Sequence, residues 1–145
     1  MKNVKLLIMV VTIIIVSSTI SSCEDDTPAP MKWEFSDYNH EAVSAFYSPE
    51  FYNQVTIFAT SDYTGDITLK CTNYNQLTLR ADNANEYFTS EVAGFTVRKV
   101  DENTFIITFE AIENGISDFV SIDGRNANEN NVTNMSVTRI TNDSN

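Results

Sequence analysis

A chain of 145 residues with nine Lys and Arg against twenty Asp and Glu carries a formal charge of −11. That balance disfavours nucleic acid and bare anionic lipid as partners, since both reward Lys and Arg. Four glycines and one histidine also leave little material for a phosphate-cradling loop or a histidine-built metal site.

Residues 1–22 read as a signal peptide. Lys2 and Lys5 precede an apolar run over 6–16 broken only by Thr12, shorter than the roughly 20 residues that cross a bilayer. Small and hydroxylated residues then fill 17–22, with Ile20 among them, as a peptidase-accessible segment requires. Removing this segment leaves 123 residues, enough for one domain over 31–141 with a frayed tail at 142–145. It also takes away two lysines, so the charge becomes −13.

Ile20-Ser21-Ser22-Cys23 resembles the lipobox of bacterial lipoproteins, with Ile where Leu is usual and Ser22 where Ala or Gly is usual. The resemblance covers the N-terminal fifth of the chain or less. It implies that Cys23 is the lipid-attachment residue, its thiol taking a diacylglyceryl group and the mature N-terminus a further palmitate-type chain. Two or three acyl chains anchor persistently, because each buried methylene contributes about 0.8 kcal/mol. Glu24-Asp25-Asp26 is similar to the acidic export signal of Bacteroidota-type surface lipoproteins, which implies the outer membrane with the domain facing the cell exterior. The plainer alternative for this run is a solvated acidic linker. Thr27-Pro28-Ala29-Pro30 completes the 23–30 linker as a semi-stiff spacer, with a reach from Cys23 to Met31 of up to about 25 Å.

From Met31 onward the chain alternates with period two, so successive side chains face opposite ways. Met31, Trp33 and Phe35 alternate with Lys32, Glu34 and Ser36. The same pattern runs through Ile67, Leu69 and Cys71, through Leu77, Leu79 and Ala81, through Phe95 and Val97, and through Phe105, Ile107, Phe109 and Ala111. Further strands are expected over 54–61, 117–123 and 132–141, which are rich in β-branched and aromatic residues. Turn chemistry separates them at 62–65, 73–75, 82–85, 101–103, 113–115 and 123–124. About eight short strands so spaced predict an all-β, immunoglobulin-like antiparallel β-sandwich, with a small antiparallel barrel as the alternative. Residues 37–53 resist assignment: 41–47 suits a short helix or a ninth strand, and Ser48-Pro49-Glu50 suits a helical turn.

Little catalytic chemistry stands out. Cys71, on the face of Ile67 and Leu69 and without a disulfide partner once Cys23 is acylated, is expected to be a buried inert thiol. His40 lies in the irregular segment as a solvated loop residue, and no serine is selected as its partner. Asn126, Asn128 and Asn130 space oxygen side chains like half of a calcium loop, but Asn131 and Val137 stand where Gly and an acid belong, so a polar hairpin is the better reading. No metal, no cofactor and no enzymatic activity is expected.

Aromatic residues are more suggestive. Tyr38, Phe46, Tyr47, Phe51 and Tyr52 crowd into 37–53, while Tyr63, Tyr74 and Tyr87 sit at or beside turns. Most such rings fill a core, but an exposed group would make a platform, and Tyr38, Tyr47, Tyr52 and Tyr74 are the candidate ligand-binding residues. Counting connections in an antiparallel succession puts 37–53, Tyr74 and the Asn-rich segment 124–131 at the end away from the anchor. The expected function is a membrane-anchored, cell-surface binding or adhesion module for glycan or protein, tied to the membrane by the lipid on Cys23. The alternatives are a structural or accessory component of an envelope complex and, third, a small hydrolase.

Overall fold

The computed structural model describes residues 27–50, 53–80, 86–127 and 129–141. The signal, Cys23 and the acidic run, Tyr52, the turn at 82–85 and the tail lie outside these residues. The described chain forms ten strands: β1 (Trp33–Ser36), β2 (Val43–Ser48), β3 (Gln54–Thr60), β4 (Gly65–Cys71), β5 (Gln76–Arg80), β6 (Tyr87–Ser90), β7 (Phe95–Asp101), β8 (Thr104–Phe109), β9 (Ser117–Asn126) and β10 (Glu129–Ile140). No helix occurs among the described residues, and none is therefore long and apolar enough to cross a membrane.

Two five-stranded sheets face each other, ordered β1-β4-β8-β7-β6 and β2-β3-β10-β9-β5. With β1, β4, β8 and β7 in the places of A, B, E and D, and β5, β9 and β10 in those of C, F and G, the arrangement is that of an immunoglobulin-like sandwich. β6 extends the first sheet beyond D, and β3 and β2 extend the second beyond G. Neither sheet closes into a barrel. The second sheet is mixed rather than antiparallel throughout, because β3 and β10 run parallel over seven paired residues, from Gln54↔Asn134 to Thr60↔Ile140.

The expected count of eight strands is corrected to ten. β2 resolves the ambiguity of 37–53 in favour of a strand, paired antiparallel with β3 from Val43↔Ala59 to Ser48↔Gln54. β6 is the other addition, paired with β7 from Tyr87↔Arg98 to Ser90↔Phe95. The turn expected at Asp123-Gly124 is also corrected, since β9 runs straight through it. Gly124 occupies an inward-facing position where a Cβ would stand 2.5 Å from Met31 Cε and 3.0 Å from Leu77 Cδ2. The residue is thus small because Met31 and Leu77 fill the space, and no reversal of the chain is involved.

The core is built by the inward members of each alternating run. Ile57, Ile67, Leu69, Phe105, Ile107, Ile122, Met135 and Val137 are wholly buried. Burying such a side chain contributes about 1.5–3 kcal/mol each. Cys71 is buried among them with its thiol free, on the face read from the sequence. Trp33 in the first sheet donates its indole N–H to Thr133 Oγ1 in the second at 3.0 Å, a buried bond across the sandwich.

The N-terminal linker is fastened to one end of the sandwich. Tyr74 Oη donates to the carbonyl of Ala29 at 2.6 Å, and Asn131 Nδ2 to the same oxygen at 2.8 Å. Asn73 Nδ2 donates to the carbonyl of Pro30 at 2.9 Å, while its Oδ1 accepts from Lys32 N at 2.7 Å. This near end also carries residues 49–50 and 53, 72–75, 102–103 and 127. The far end carries 37–42, 61–64, 91–94 and 110–116. Because β2 is a strand, the parity of the connections flips. Tyr74 and the Asn-rich hairpin stand beside the linker, which corrects the expectation that they lie away from the anchor.

The hairpin between β9 and β10 pairs Glu129 with Asn126, leaving two connecting residues. Ala127 takes φ 46° there, a left-handed conformation that costs a residue with a Cβ about 1–2 kcal/mol. Ala127→Gly is expected to raise stability by about 0.5–1 kcal/mol after the larger entropy of the unfolded glycine chain is offset. Urea unfolding would register this as a higher midpoint at unchanged slope; an unmoved or lowered midpoint would mean that the turn carries no such strain.

Candidate functional site: the outward face of the second sheet

Of the tyrosines singled out from the sequence, three lie among the described residues, and they do not form one platform: Tyr47 and Tyr74 are neighbours at the near end, while Tyr38 is at the other. Tyr38 lies at the far end, partly buried, with its ring 4.1 Å from that of His40 at an interplanar angle of 50°. His40 itself is exposed. Tyr47 faces inward from β2 at the near end and donates its hydroxyl to Asn53 Oδ1 at 2.9 Å. Burial holds the Tyr47 phenol above its ordinary range, with Cys71 and Tyr74 adding to the effect. Tyr74 is 2 % exposed and its hydroxyl is committed to the linker. Tyr52 lies outside the described residues.

The near end holds an open hollow of about 400 Å³ lined by Thr72, Asn73, Tyr74, Asn75, Asn103 and Asn126, with Ala127 at its rim. Its amides are largely spent on the backbone: Asn103 Nδ2 donates to Cys71 O at 3.0 Å, Asn126 Nδ2 to Asn73 O, and Asn126 Oδ1 accepts from Asn75 N at 3.2 Å. No titratable group other than Tyr74 lines it. Among the described residues no three His, Cys, Asp or Glu stand where they could hold a metal ion. Asp101 has its carboxyl held below the usual range, first by the backbone N–H of Asn103 and then by the Thr104 hydroxyl, as suits a tight β7–β8 turn.

Exposed aromatic surface lies elsewhere, on the outward face of β2-β3-β10-β9-β5. The buried positions Val43, Ile57, Val137, Val120 and Leu79 fix which parity faces inward. The opposite parity brings Ser44, Phe46 and Ser48 of β2, Thr56 and Phe58 of β3, Asn134, Ser136 and Thr138 of β10, and Ser117, Phe119 and Ser121 of β9 onto the outer face. Phe119 is 69 % exposed and Phe46 55 %. Phe58 is half-buried, and its ring meets that of Phe46 edge-on with centroids 6.3 Å apart.

The register aligns part of this face into a row. Phe46 pairs with Thr56, Thr56 with Ser136, and Ser136 with Phe119. At about 4.8 Å per strand the two exposed rings are separated by roughly 14 Å, with hydroxyls between them. Neighbouring rows are also polar: Ser121 Oγ donates to Asn134 Oδ1 at 2.8 Å, and the Ser117 and Thr138 hydroxyls share a bond of 3.2 Å. Charge is sparse on this face. Its charged members are Arg80 and Asp123, which pair with each other at 3.2 Å, and exposed Arg125 toward the near end of β9, so the face carries two cations against one anion.

Sequence reasoning missed Phe58 and Phe119 and counted Phe46 only as one of a crowd. In Asp118-Phe119-Val120 and Ile57-Phe58-Ala59 apolar residues adjoin, so alternation alone does not tell which faces outward. The partner strand supplies that information.

No family model matches the chain, and neither does any curated protein. Among solved structures, an NMR structure of a protein from Bacteroides thetaiotaomicron is similar at 14 % identity and a TM-score of 0.43, over 80 % of this chain and 92 % of that one.

Proposed function

We propose that the chain is a lipid-anchored lipoprotein of the bacterial outer membrane, facing the cell exterior, and that it serves as a non-catalytic binding or adhesion module. The observation that carries the binding reading is the pair of exposed rings, Phe46 and Phe119, in a row completed by the hydroxyl side chains of Thr56 and Ser136. Leaving much of two phenylalanine rings in water forgoes the free energy that their burial would contribute, whereas aromatic rings on a polar surface are what a ligand uses as anchors.

The alternative, a structural component packed permanently in an envelope complex, would call for a contiguous apolar patch. Here Thr56 and Ser136 interrupt the row between the rings, which favours a discrete ligand. The anchor reading rests on the lipobox-like Ile20-Ser21-Ser22-Cys23. With Ala29 held by Tyr74 and Asn131, the free tether shortens to the steps from Cys23 to Ala29, about 19 Å in extended form. The strands then run between the membrane-proximal and the distal end, and the outward face of the second sheet stands at the side, open to large ligands.

Cys23→Ala is expected to abolish acylation and release the protein from the outer-membrane fraction. Mass spectrometry of the N-terminus and membrane fractionation would check it; a stable protein retaining Met1 and its membrane association would refute the anchor. Replacing Glu24, Asp25 and Asp26 together by Ala should keep the lipid and remove access to external protease.

A further inference from the structure

We infer that the outward face of the second sheet takes an uncharged polyhydroxylated chain, a neutral polysaccharide, laid across the strands from Phe46 to Phe119. The inference rests on the binding-module reading and names the ligand class for that face.

Charge decides among partner classes. An acidic polysaccharide or a nucleic acid needs unpaired cations along its path, and the row from Phe46 to Phe119 carries none: Arg80 is engaged by Asp123 at 3.2 Å, and Arg125 stands six residues beyond Phe119 on β9, roughly 20 Å along the strand. A basic protein would seek the acidic connections at the two ends rather than a face with two arginines against one aspartate. A neutral ligand is the class that loses nothing by meeting an uncharged row on a chain of formal charge −11.

Geometry and chemistry agree. A sugar ring offers an apolar C–H face and a rim of hydroxyls, so it suits an aromatic ring beside short polar side chains. Phe46 with Phe58 makes one stacking station and Phe119 the other, roughly 14 Å away across three strand spacings. Thr56 and Ser136 lie in line between them, and exposed Asn134 flanks the row. Its Oδ1 accepts from Ser121, which leaves the amide N–H groups to donate to ligand hydroxyls. The face is open rather than closed at either side, so it fits the interior of a long chain and does not select a chain end.

The test is retardation of the processed full-length protein, in detergent micelles, by polysaccharides set in a native gel: laminarin, mannan and dextran as neutral probes, polygalacturonate as the acidic one. The expected result is retardation by at least one neutral probe, insensitive to added salt, with an affinity about tenfold weaker in Phe119→Ala and in Phe46→Ala. Val92→Ala, which removes an exposed apolar side chain from the far end, should leave it unchanged. Matching thermal melts would show that the variants fold, as expected for side chains so exposed. Retardation by polygalacturonate alone, no retardation by any neutral probe, or neutral binding that survives both Phe variants would each overturn the inference. Capture of an envelope protein by the wild type, lost in Phe119→Ala and without polysaccharide retention, would overturn the ligand class and leave the binding module standing. Absence of both would remove the two together.

Discussion

Arg139→Ala is expected to lower the unfolding free energy by about 3–5 kcal/mol. Arg139 is an inward residue of β10 at 2 % exposure, and burial depresses the pKa of its guanidinium, with Asp62 opposing the shift. A buried cation is costly unless paired. Here Nη2 lies 2.9 Å from each of the carbonyls of Ser61, Tyr63 and Glu110, its two hydrogens shared among the three acceptors, and the guanidinium lies 5.1 Å from the centroid of the Phe109 ring. One side chain thereby ties two connections of the far end, 61–64 and 110–116, to the second sheet. Removing it leaves the Tyr63 and Glu110 carbonyls to find water, takes one of two donors from the Ser61 carbonyl, which also accepts from Ile112 N, and opens a void beside Phe109. Arg139→Met keeps the apolar stem without the donors. A loss close to that of Ala, read by urea unfolding, would assign the effect to the carbonyls. Near wild-type stability in the Met variant would assign it to packing and contradict the tie.

Trp33→Ala should cost a similar 3–5 kcal/mol. The indole is 7 % exposed, packs with its centroid 6.2 Å from that of Phe105, and makes the buried Nε1–Thr133 bond between the sheets. Thr133→Val separates these contributions, because it keeps the volume and deprives the indole N–H of its acceptor, at about 1–3 kcal/mol. If Thr133→Val were neutral, the bond across the sandwich would contribute nothing beyond packing. β1 is an edge strand of four residues, so loss of Trp33 should also free the linker end. Faster amide exchange at Glu34 and Phe35 would report that.

Fold class was legible because several strands are amphipathic in the simplest way. Phe105, Ile107 and Phe109, or Ile67, Leu69 and Cys71, alternate with polar neighbours, and each group is buried as that alternation requires. Alternation failed where both faces carry apolar residues. In β2 Phe46 points outward and Tyr47 inward, so the two adjacent rings masked the strand and with it the parity of the ends. Gly124 read as a turn because nothing in the sequence tells that Met31, more than ninety positions away, needs its space. Partner choice was the deepest omission. A period of two says which face is buried but not which strand lies alongside, and the parallel β3–β10 pair leaves no local trace. The candidate site suffered accordingly. Crowding in 37–53 nominated Tyr47 and proximity to a turn Tyr74, whose hydroxyls the fold consumes, while the exposed rings sit within strands whose outward parity only their neighbours define.

The position of β10 has a kinetic consequence. It lies between β3 and β9, yet it is the last of the ten strands to leave the ribosome. Until it arrives, β3 and β2 have no sheet to join, and Arg139 cannot gather the far-end connections. Contacts between residues about eighty positions apart close slowly, so the polypeptide stays unfinished throughout its synthesis. For a chain proposed to be threaded through a membrane before it works outside, this ordering delays premature folding and keeps it competent for export.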